Sequence, residues 1–550
     1  MINKGSVPLS EKEDFQISDE TERLINSYKE EWLYIDRTKS EAKFHVSQIL
    51  SPLAFFYERI RNALDYKGDH LMRRNAIERI LRRQIWEKRT GNPSVLSETL
   101  LKELIWARYE KNDYVPKKKI QILEVVVRKY LKIFQRLETV KSEKGLQECK
   151  DWFMGVFSSE VEELLEPSIF LKESLNYEVF SWFKENYDWQ EHNLSDKDRD
   201  IQIFIAIHRS LTKSDKAGVR YRLLKVYYPN WDEIDDIEIM KSFASLINLI
   251  DEIEEKLNSL YQPRLFRFIQ RQLPAFLILK EMIDEDFEEA EKIFQSPKKL
   301  ENKITEVCNK KYSQIGTRIR TGIIRSIIYI FMTKALLALM IEIPYELFVT
   351  KDLNFASLSI NVLFPPTLMF LVGMTIRKPG DENTQRIIQI IKSFVYEHKK
   401  TGRYEFSLER KKLGGLVSQI FLVLYLLMFL ITFGGIGLIL LDLGFNLLSA
   451  GMFFIFLSLV LLFVYRVRYT ATELNVQGER EGFLSHLFSN FTIPLLNLGQ
   501  VISNGFRKLN FILLFMDFLI EVPLKSIIAI FEEWSMFMRE KREEVIEIPN

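Results

Sequence analysis

The chain has 550 residues, long enough for several domains, and its 76 basic and 75 acidic residues leave a formal net charge of +1. This balance gives no overall attraction to nucleic acid or anionic lipid, so we predict no nucleic-acid partner. The two cysteines, Cys149 and Cys308, have no other cysteine and no histidine near them in sequence, which argues against a disulfide framework and a zinc site. We predict no bound metal and no cofactor.

Residues 1–20 are polar and acidic, and we predict that they form a flexible amino terminus. They have neither the apolar core of a secretory signal peptide nor the basic character of a transit peptide. We therefore expect the amino-terminal half to stay on the side of the membrane where it is made. By elimination, this favours a bacterial plasma membrane as the location.

Residues 21–310 are predicted to form an all-helical cytoplasmic domain. Glycine and proline are sparse, and apolar residues recur at steps of three and four, as at Leu101 and Leu104. Ser195, with Asp198 three residues later, resembles a capping box at the start of a helix. The predicted helices cover 40–65, 70–89, 95–111, 118–140, 146–163, 196–212, 232–259 and 263–294.

One predicted helix is unusually basic. Its basic residues are Arg73, Arg74, Arg79, Arg82, Arg83, Lys88 and Arg89. We interpret them as neutralised within the chain or exposed to solvent, and the acidic runs 232–238 and 284–291 are available as partners. A lipid surface and nucleic acid are the alternative partners for such a face.

No motif in the sequence predicts catalysis. Asp196, Asp198 and Asp200 resemble the start of a calcium loop, but Ile201 and Ile207 stand where that loop needs Gly and Glu. Acidic residues at these positions are better explained by stabilisation of a helix amino terminus. The sequence also lacks a nucleophile elbow, a kinase motif set and a dinucleotide fingerprint, so we predict no catalytic residue and no enzymatic activity.

Residues 311–470 are predicted to form a transmembrane domain with four spans, at about 323–345, 355–376, 417–441 and 447–466. The last two contain uncharged runs long enough to cross a hydrocarbon core about 30 Å thick. Basic residues are dense before the first span, in the loop 377–415 and after the fourth span, and they are sparse in the other two loops. By the positive-inside rule, this alternation predicts that both termini and the loop 377–415 are cytoplasmic.

Polar residues interrupt the first two predicted spans. Lys334 and Glu342 lie in the first span, and Asn361, Pro365 and Pro366 lie in the second. Ionisable residues inside a membrane are candidates for an ion path, and broken helices often form binding sites at the midplane. The alternative is structural: Lys334 pairs with a carboxylate of the bundle or extends its long stem to the surface.

The segment 509–531 is apolar but carries Asp517, Glu521 and Lys525 at its centre. On the insertion scale these charges cost about 8 to 10 kcal/mol, against about 4 to 8 kcal/mol returned by the apolar residues. The three charges stand four residues apart and share one helical face. We therefore predict amphipathic helices on the membrane surface within 471–550, with a fifth span that buries the stripe as the alternative.

These elements predict an all-α integral membrane protein: a helical cytoplasmic domain, a multi-pass transmembrane helix bundle and carboxy-terminal amphipathic helices. Because the cytoplasmic mass is large, the spans are few and catalytic motifs are lacking, we expect a non-enzymatic, membrane-anchored scaffold with a protein partner. The alternative is a channel or transporter subunit that uses the polar residues of the first two spans. The lipid bilayer is the expected surrounding, and homo-oligomerisation is left open.

Overall fold

A computed structural model describes residues 16–38, 42–47, 71–140, 143–166, 169–190, 194–234, 236–351, 354–396, 404–408, 415–476 and 483–508, with isolated positions between 52 and 59 and between 530 and 541. The described chain is almost entirely helical, and four helices long and apolar enough to cross a membrane lie in its carboxy-terminal half. The predicted all-α fold is therefore confirmed. Asp517, Glu521, Lys525 and the question of a fifth span lie outside the described residues.

The helices are, in chain order, α1 Asp19–Thr38, α2 Met72–Arg82, α3 Pro93–Trp106, α4 Lys117–Val140, α5 Glu143–Leu165, α6 Ile169–Asn186, α7 Asp196–Leu211, α8 Lys216–Tyr227, α9 Asp236–Leu257, α10 Gln262–Gln270, α11 Pro274–Glu285, α12 Phe287–Phe294, α13 Pro297–Leu337, α14 Phe355–Met374, α15 Asp381–Val395, α16 Gly415–Asp442, α17 Leu447–Ala471 and α18 Phe483–Lys508. Two three-residue strands, β1 Tyr187–Trp189 and β2 Tyr404–Phe406, pair in parallel. A short π-helical segment extends α2 over Arg83–Glu87. Beyond α13 the helix continues through two π-helical segments, Ala338–Glu342 and Glu346–Thr350, with an α-helical turn, Ile343–Tyr345, between them.

Local signals account for many helix boundaries. The Ser195 hydroxyl accepts a hydrogen bond from the Asp198 amide at 3.1 Å, which confirms the predicted cap of α7. The predicted helix 263–294 is wrong in one respect, because it is divided into α10, α11 and α12. Pro274 begins α11, and Asp286 caps α12 through the Glu289 amide at 2.9 Å. The sequence analysis also missed α1, α6 and α8, and residues 42–47 of the predicted helix 40–65 are not helical.

Two compact units emerge from the described chain. The helical unit takes its residues from 24–180 and 194–266, and the membrane unit takes its residues from 16–23, 181–190 and 267–508. The membrane unit contains all four candidate spans. The predicted boundaries at 20, 310 and 470 concern membrane exposure and stay predictions.

The core of the helical unit contains stacked aromatic side chains and one buried carboxylate. Tyr130 stacks on Phe157 with ring centroids 4.4 Å apart. Glu160, buried beside them, accepts hydrogen bonds from Lys129 Nζ at 2.6 Å, the Tyr130 hydroxyl at 2.7 Å and Trp231 Nε1 at 2.8 Å. These donors compensate the removal of the carboxylate from water. Burial still raises the pKa of Glu160, with Lys129 acting against the rise.

The basic helix is neutralised inside the helical unit, as interpreted from the sequence. Its paired arginines and their partners are Arg73 with Glu110, Glu162 and Glu166; Arg74 with Glu78 and Asp215; Arg79 with Glu58; Arg82 with Glu78 and Asp151; and Arg83 with Glu103. The carboxylates come from the surrounding helices, from the segments that flank them, and from Glu78 of α2 itself. The acidic runs 232–238 and 284–291 supply none of these partners.

In the membrane unit, the candidate spans are Pro297–Thr350, Phe355–Met374, Gln419–Asp442 and Leu447–Ala471. The four predicted apolar segments are therefore helical, and the first belongs to a much longer continuous helix. Side chains of α13, α14 and α17 form one apolar cluster around Met369 and Val460. Only 6% of the apolar window of α16 is buried by the rest of the chain, so most of its apolar surface is exposed.

A glycine allows two helices of the membrane unit to approach closely. A Cβ added at Gly499 of α18 would lie 2.6 Å from the Ser458 carbonyl oxygen of α17. Because that oxygen belongs to the backbone, it cannot rotate away as a side chain does. Small residues at such crossings let helix backbones pack against each other. The predicted amphipathic segment therefore begins, over Phe483–Lys508, with a helix that packs on α17.

The predicted loop 377–415 contains regular structure. Within it, α15 buries Ile387, Ile391 and Phe394, which recur at helical spacing. Its Asn383 donates from Nδ2 to the Tyr312 hydroxyl of α13 at 2.8 Å. This segment is therefore a packed helix followed by the short strand β2, although the charge pattern alone suggested only a connection.

Candidate functional site

A buried ion pair stands inside the membrane unit. Lys334 Nζ lies 2.5 Å from Glu342 Oε1, and both side chains are 0% exposed. The Lys334 ammonium also lies 4.8 Å from the centre of the Phe456 ring of α17. Of the two interpretations of Lys334, the structure agrees with pairing to a carboxylate of the bundle. Each charge neutralises the other where water is excluded.

The local helix geometry brings these two side chains together. Lys334 and Glu342 are eight residues apart, which corresponds to a rise of about 12 Å along an α-helix. The two long side chains must therefore extend toward each other along the helix. Between them the chain leaves the α-helical path, with π-helical segments over Ala338–Glu342 and Glu346–Thr350. Pro344 lies between the segments and offers no backbone N–H to the preceding turn. π-Helical turns are frequent at functional sites.

Asn361 links this pair to two further helices. Its Nδ2 donates to Glu342 Oε2 at 2.8 Å and to the Ser449 carbonyl oxygen at 3.2 Å. Glu342 therefore has both oxygens occupied, one by Lys334 and one by Asn361. The result is a closed polar clamp, formed by Lys334, Glu342 and Asn361, that joins α13, α14 and the start of α17.

A second carboxylate, Glu346, lies beside the polar clamp and is only 2% exposed. Its Oε1 accepts from Asn446 Nδ2 at 3.1 Å and from the Ser449 hydroxyl at 3.4 Å. Its Oε2 has no hydrogen-bond partner, and no ion pair to Glu346 occurs among the described residues. Asn446 also caps α17 by accepting from the Ser449 amide at 2.8 Å.

The structure brings together three of the five residues predicted for the first two spans. Pro365 and Pro366 are buried in α14, which continues through them as a helix, and no described bond links their side chains to the polar clamp. Pro365 removes the N–H that would normally bond the Asn361 carbonyl. Sequence reasoning missed Glu346 and its partners, although Glu346 stands four residues after Glu342 and so shares its helical face.

A polar cavity of about 430 Å³ lies in the helical unit. Its wall includes Arg73, Glu162, Glu173, Asp215 and Arg222, so both cations and carboxylates line it. Burial raises the pKa of Glu173 to about 7, against the opposing effect of Arg222. A carboxyl group with this pKa exchanges its proton near neutrality.

His208, a neighbour of Glu173, is only 2% exposed. Its Nδ1 is 3.3 Å from Asn176 Nδ2, and its Nε2 is 4.0 Å from a Glu173 oxygen. Burial lowers the pKa of His208 to about 3, and the positive charge of Arg222 acts in the same direction. The imidazole is therefore neutral at physiological pH and accepts the amide hydrogen bond at Nδ1.

These features define the class: an all-helical protein that has four helices long and apolar enough to cross a membrane, with a buried polar clamp between three of them. Within the described residues, no group of three or more histidine, cysteine, aspartate or glutamate side chains is arranged to hold a metal ion. No family model, curated protein or solved structure matches the chain.

Proposed function

We propose that this protein is a membrane-anchored scaffold whose helical part binds a partner protein. The observation that carries the proposal is the closure of the polar clamp, in which Lys334 and Glu342 satisfy each other at 0% exposure. A closed, neutral pair holds the helices in fixed positions, as an anchor requires. It offers no open polar path along which charges could move. The helical unit, with its charged cavity, is then the part that meets a partner.

We further propose a plasma-membrane location with both termini in the cytoplasm. The support is the alternation of basic residues along the loops between the four apolar helices. Single-cysteine labelling tests it in a background that lacks Cys149 and Cys308. Leu443→Cys should react from outside intact cells, whereas Lys378→Cys should react only after permeabilisation. The reverse pattern would invert the topology.

The scaffold proposal is tested by gentle solubilisation of native membranes and identification of proteins that copurify in stoichiometric amounts. We expect one such partner with the natural chain. The variant Lys334→Met is the matched comparison, because it alters the clamp and leaves the surface of the helical unit unchanged. It should lose thermal stability and keep the partner. Repeated recovery of the chain alone, under conditions that preserve its fold, would contradict the proposal.

A channel or transporter subunit is the second candidate function. Glu346 favours it. Burying a carboxyl group that has no described ion-pair partner costs free energy, and ionisable residues inside a membrane are candidates for an ion path. The test is cation and proton flux in liposomes that contain the purified protein. Flux that Glu346→Gln abolishes and the exposed Glu382→Gln preserves would support transport. The same flux in empty liposomes and in liposomes with the natural chain would refute it.

A further inference from the structure

We propose that one end of the membrane unit binds the phosphate groups of anionic phospholipids. The surface consists of seven basic residues, which we call the cationic rim: Arg318, Arg320 and Arg325 of α13, Arg377 and Lys378 after α14, and Arg466 and Arg468 of α17. The inference goes beyond the scaffold, because it names a lipid ligand. It rests on the proposal that these helices lie in a membrane.

The end of α14 lies beside the middle of α13. A Cβ added at Gly316 of α13 would lie 3.9 Å from Lys378 Cδ, and a Cβ added at Gly373 of α14 would lie 3.0 Å from Ile323 Cγ2 of α13. Gly316 and Ile323 are about two helical turns apart, which corresponds to a rise of about 10 Å. The first two arginines of the cationic rim fall between these contacts, so α13 and α14 present their basic residues at the same level.

The end of α17 reaches the same level. A Cβ added at Gly322 of α13 would lie 3.8 Å from Val467 Cγ2. Arg466 and Arg468 flank Val467 in the chain, and Arg466 Nη2 donates to the Ser503 hydroxyl of α18 at 3.4 Å. Three helices therefore bring the basic residues of the cationic rim to one end of the bundle, although these residues come from distant parts of the sequence.

The basic side chains are open to the surroundings. All seven residues of the cationic rim are exposed. In the part of the chain that the structure describes, no hydrogen bond or ion pair engages the side chains of Arg318, Arg320, Arg325, Arg377 and Lys378. A guanidinium group has a planar fork of N–H donors, whose geometry matches that of a phosphate group. The cationic rim can therefore offer these donors to phosphate groups outside the chain.

The cationic rim lies where the apolar surface of the spans ends. On α13, large exposed apolar side chains begin at Ile324 and continue with Ile328, and on α14 the last of them is Met374. On α17, Tyr465 and Tyr469 are 58% and 56% exposed, and tyrosine is enriched at both membrane surfaces. Phospholipid headgroups lie directly outside the hydrocarbon core, so the rim faces them once the spans are in a bilayer.

The two ends of the bundle differ in charge. At the other end, the segments 346–354 and 442–446 connect the spans and contain one basic residue, Lys351, and three acidic residues. Basic residues beside a membrane attract anionic lipids, so the cationic rim attracts them and the other end has no comparable attraction. This asymmetry favours a negatively charged phospholipid over a zwitterionic one as the ligand.

Electron spin resonance of the full chain in phosphatidylcholine bilayers tests this proposal. Spin-labelled phosphatidylglycerol is the anionic probe and spin-labelled phosphatidylcholine is the zwitterionic one, and the fraction of label that the protein immobilises is measured for each. With the natural chain, the anionic probe should be preferred several-fold. The triple variant Arg318→Gln, Arg320→Gln and Lys378→Gln should lose this preference. The variant Arg318→Lys with Arg320→Lys keeps the charges and should keep the preference.

The matched control is the triple variant Lys118→Gln, Arg128→Gln and Arg136→Gln, which removes three exposed basic residues of the helical unit. It should bind the two probes as the natural chain does. An equal loss of preference in this control would assign the effect to overall charge and overturn the proposal. Equal binding of both probes by the natural chain would overturn it too, as would a preference that survives in the triple variant of the cationic rim.

Two further results identify the ligand and separate this proposal from the membrane placement. If inorganic phosphate abolishes the preference and chloride at the same ionic strength does not, the cationic rim binds a free phosphate ion and not a lipid. If neither label is immobilised, the membrane placement on which the proposal rests is refuted. A lipid preference with inverted cysteine labelling refutes the predicted orientation alone, and the predicted labelling without a preference refutes the lipid site alone.

Discussion

Charged side chains are buried in different ways in the two units. In the membrane unit, Lys334 and Glu342 form a single enclosed pair with one amide partner. In the helical unit, Arg73 is shared among Glu110, Glu162 and Glu166, at N–O distances of 2.8, 2.9 and 2.5 Å. The Arg73 network lines a cavity, and its side chains keep partial contact with solvent.

The difference follows from the cost of removing a charge from water. Away from water, an uncompensated charge costs several kcal/mol, so neutrality must be reached between immediate neighbours. Beside a polar cavity, solvent screens a surplus of carboxylates, and one guanidinium can bond several of them through its fixed fork of donors. An enclosed pair such as Lys334 and Glu342 therefore depends on each of its members more strongly than the Arg73 network does.

The largest effect is expected from Lys334→Met. The change leaves Glu342 buried without its cation, which should lower the free energy of unfolding by about 3 to 5 kcal/mol. Denaturant unfolding in detergent, followed by circular dichroism, measures the loss. The double variant Lys334→Met with Glu342→Gln removes both charges and should recover most of the stability. Equal losses in the single and double variants would show that the loss does not come from the uncompensated charge of Glu342.

A pH effect of comparable size is expected in the helical unit. The pKa of Glu173 is about 7 in the folded chain and 4.5 ordinarily, so folding stability falls as pH rises between those values. The pKa of His208 is about 3 in the folded chain and 6.5 ordinarily, so stability falls as pH drops below 6.5. Between pH 4.5 and 6.5 the two slopes, each about 1.4 kcal/mol per pH unit, oppose each other.

Glu173→Gln should expose the contribution of His208. Its unfolding free energy should fall by about 3 kcal/mol between pH 6.5 and 4.5, whereas the natural chain changes little from these two groups. Denaturant titrations at both pH values measure the difference. His208→Gln is the mirror control, and its stability should rise as the pH is lowered over the same window. Parallel pH profiles for all three chains would exclude this pair as the source.

An intermediate effect is expected where packing, and not charge, is changed. Gly499→Ala places a Cβ 2.6 Å from the Ser458 carbonyl oxygen and should cost about 1 to 3 kcal/mol by overpacking. Gly435→Ala is the matched control, because a Cβ there meets nothing within 4 Å. Thermal unfolding in detergent compares the two. A control variant that is as unstable as Gly499→Ala would indicate that the loss does not come from the crossing of α17 and α18.

The smallest effect is expected from Ser195→Ala, which removes the cap of α7. The Asp198 amide then loses its 3.1 Å hydrogen bond, at a cost of about 1 kcal/mol. Ser195→Asp retains an acceptor and should be close to the natural chain in denaturant unfolding. If alanine and aspartate behave alike, solvent already satisfies the amide.

Several parts of the candidate site could be predicted from the sequence, and others could not. Lys334, Glu342 and Asn361 were identifiable because polar residues are conspicuous in apolar segments. Glu346 was missed because it lies just beyond the predicted end of the first span, and the helix continues to Thr350. Pro365 and Pro366 do not take part in the polar clamp. Which side chains of α14 face the clamp depends on how this helix is rotated against its neighbours, and the sequence alone does not specify that rotation.

The sequence by itself determined the helical class, the four apolar segments and boundaries such as the cap at Ser195, because these depend on neighbours a few residues away. Only the tertiary structure decided which charges meet. Asn361 and Ser449 are 88 residues apart in the chain, and Arg73 and Glu166 are 93 apart. Such partners are chosen by how helices pack, and the energy of packing belongs to pairs of surfaces that no local pattern of residues specifies.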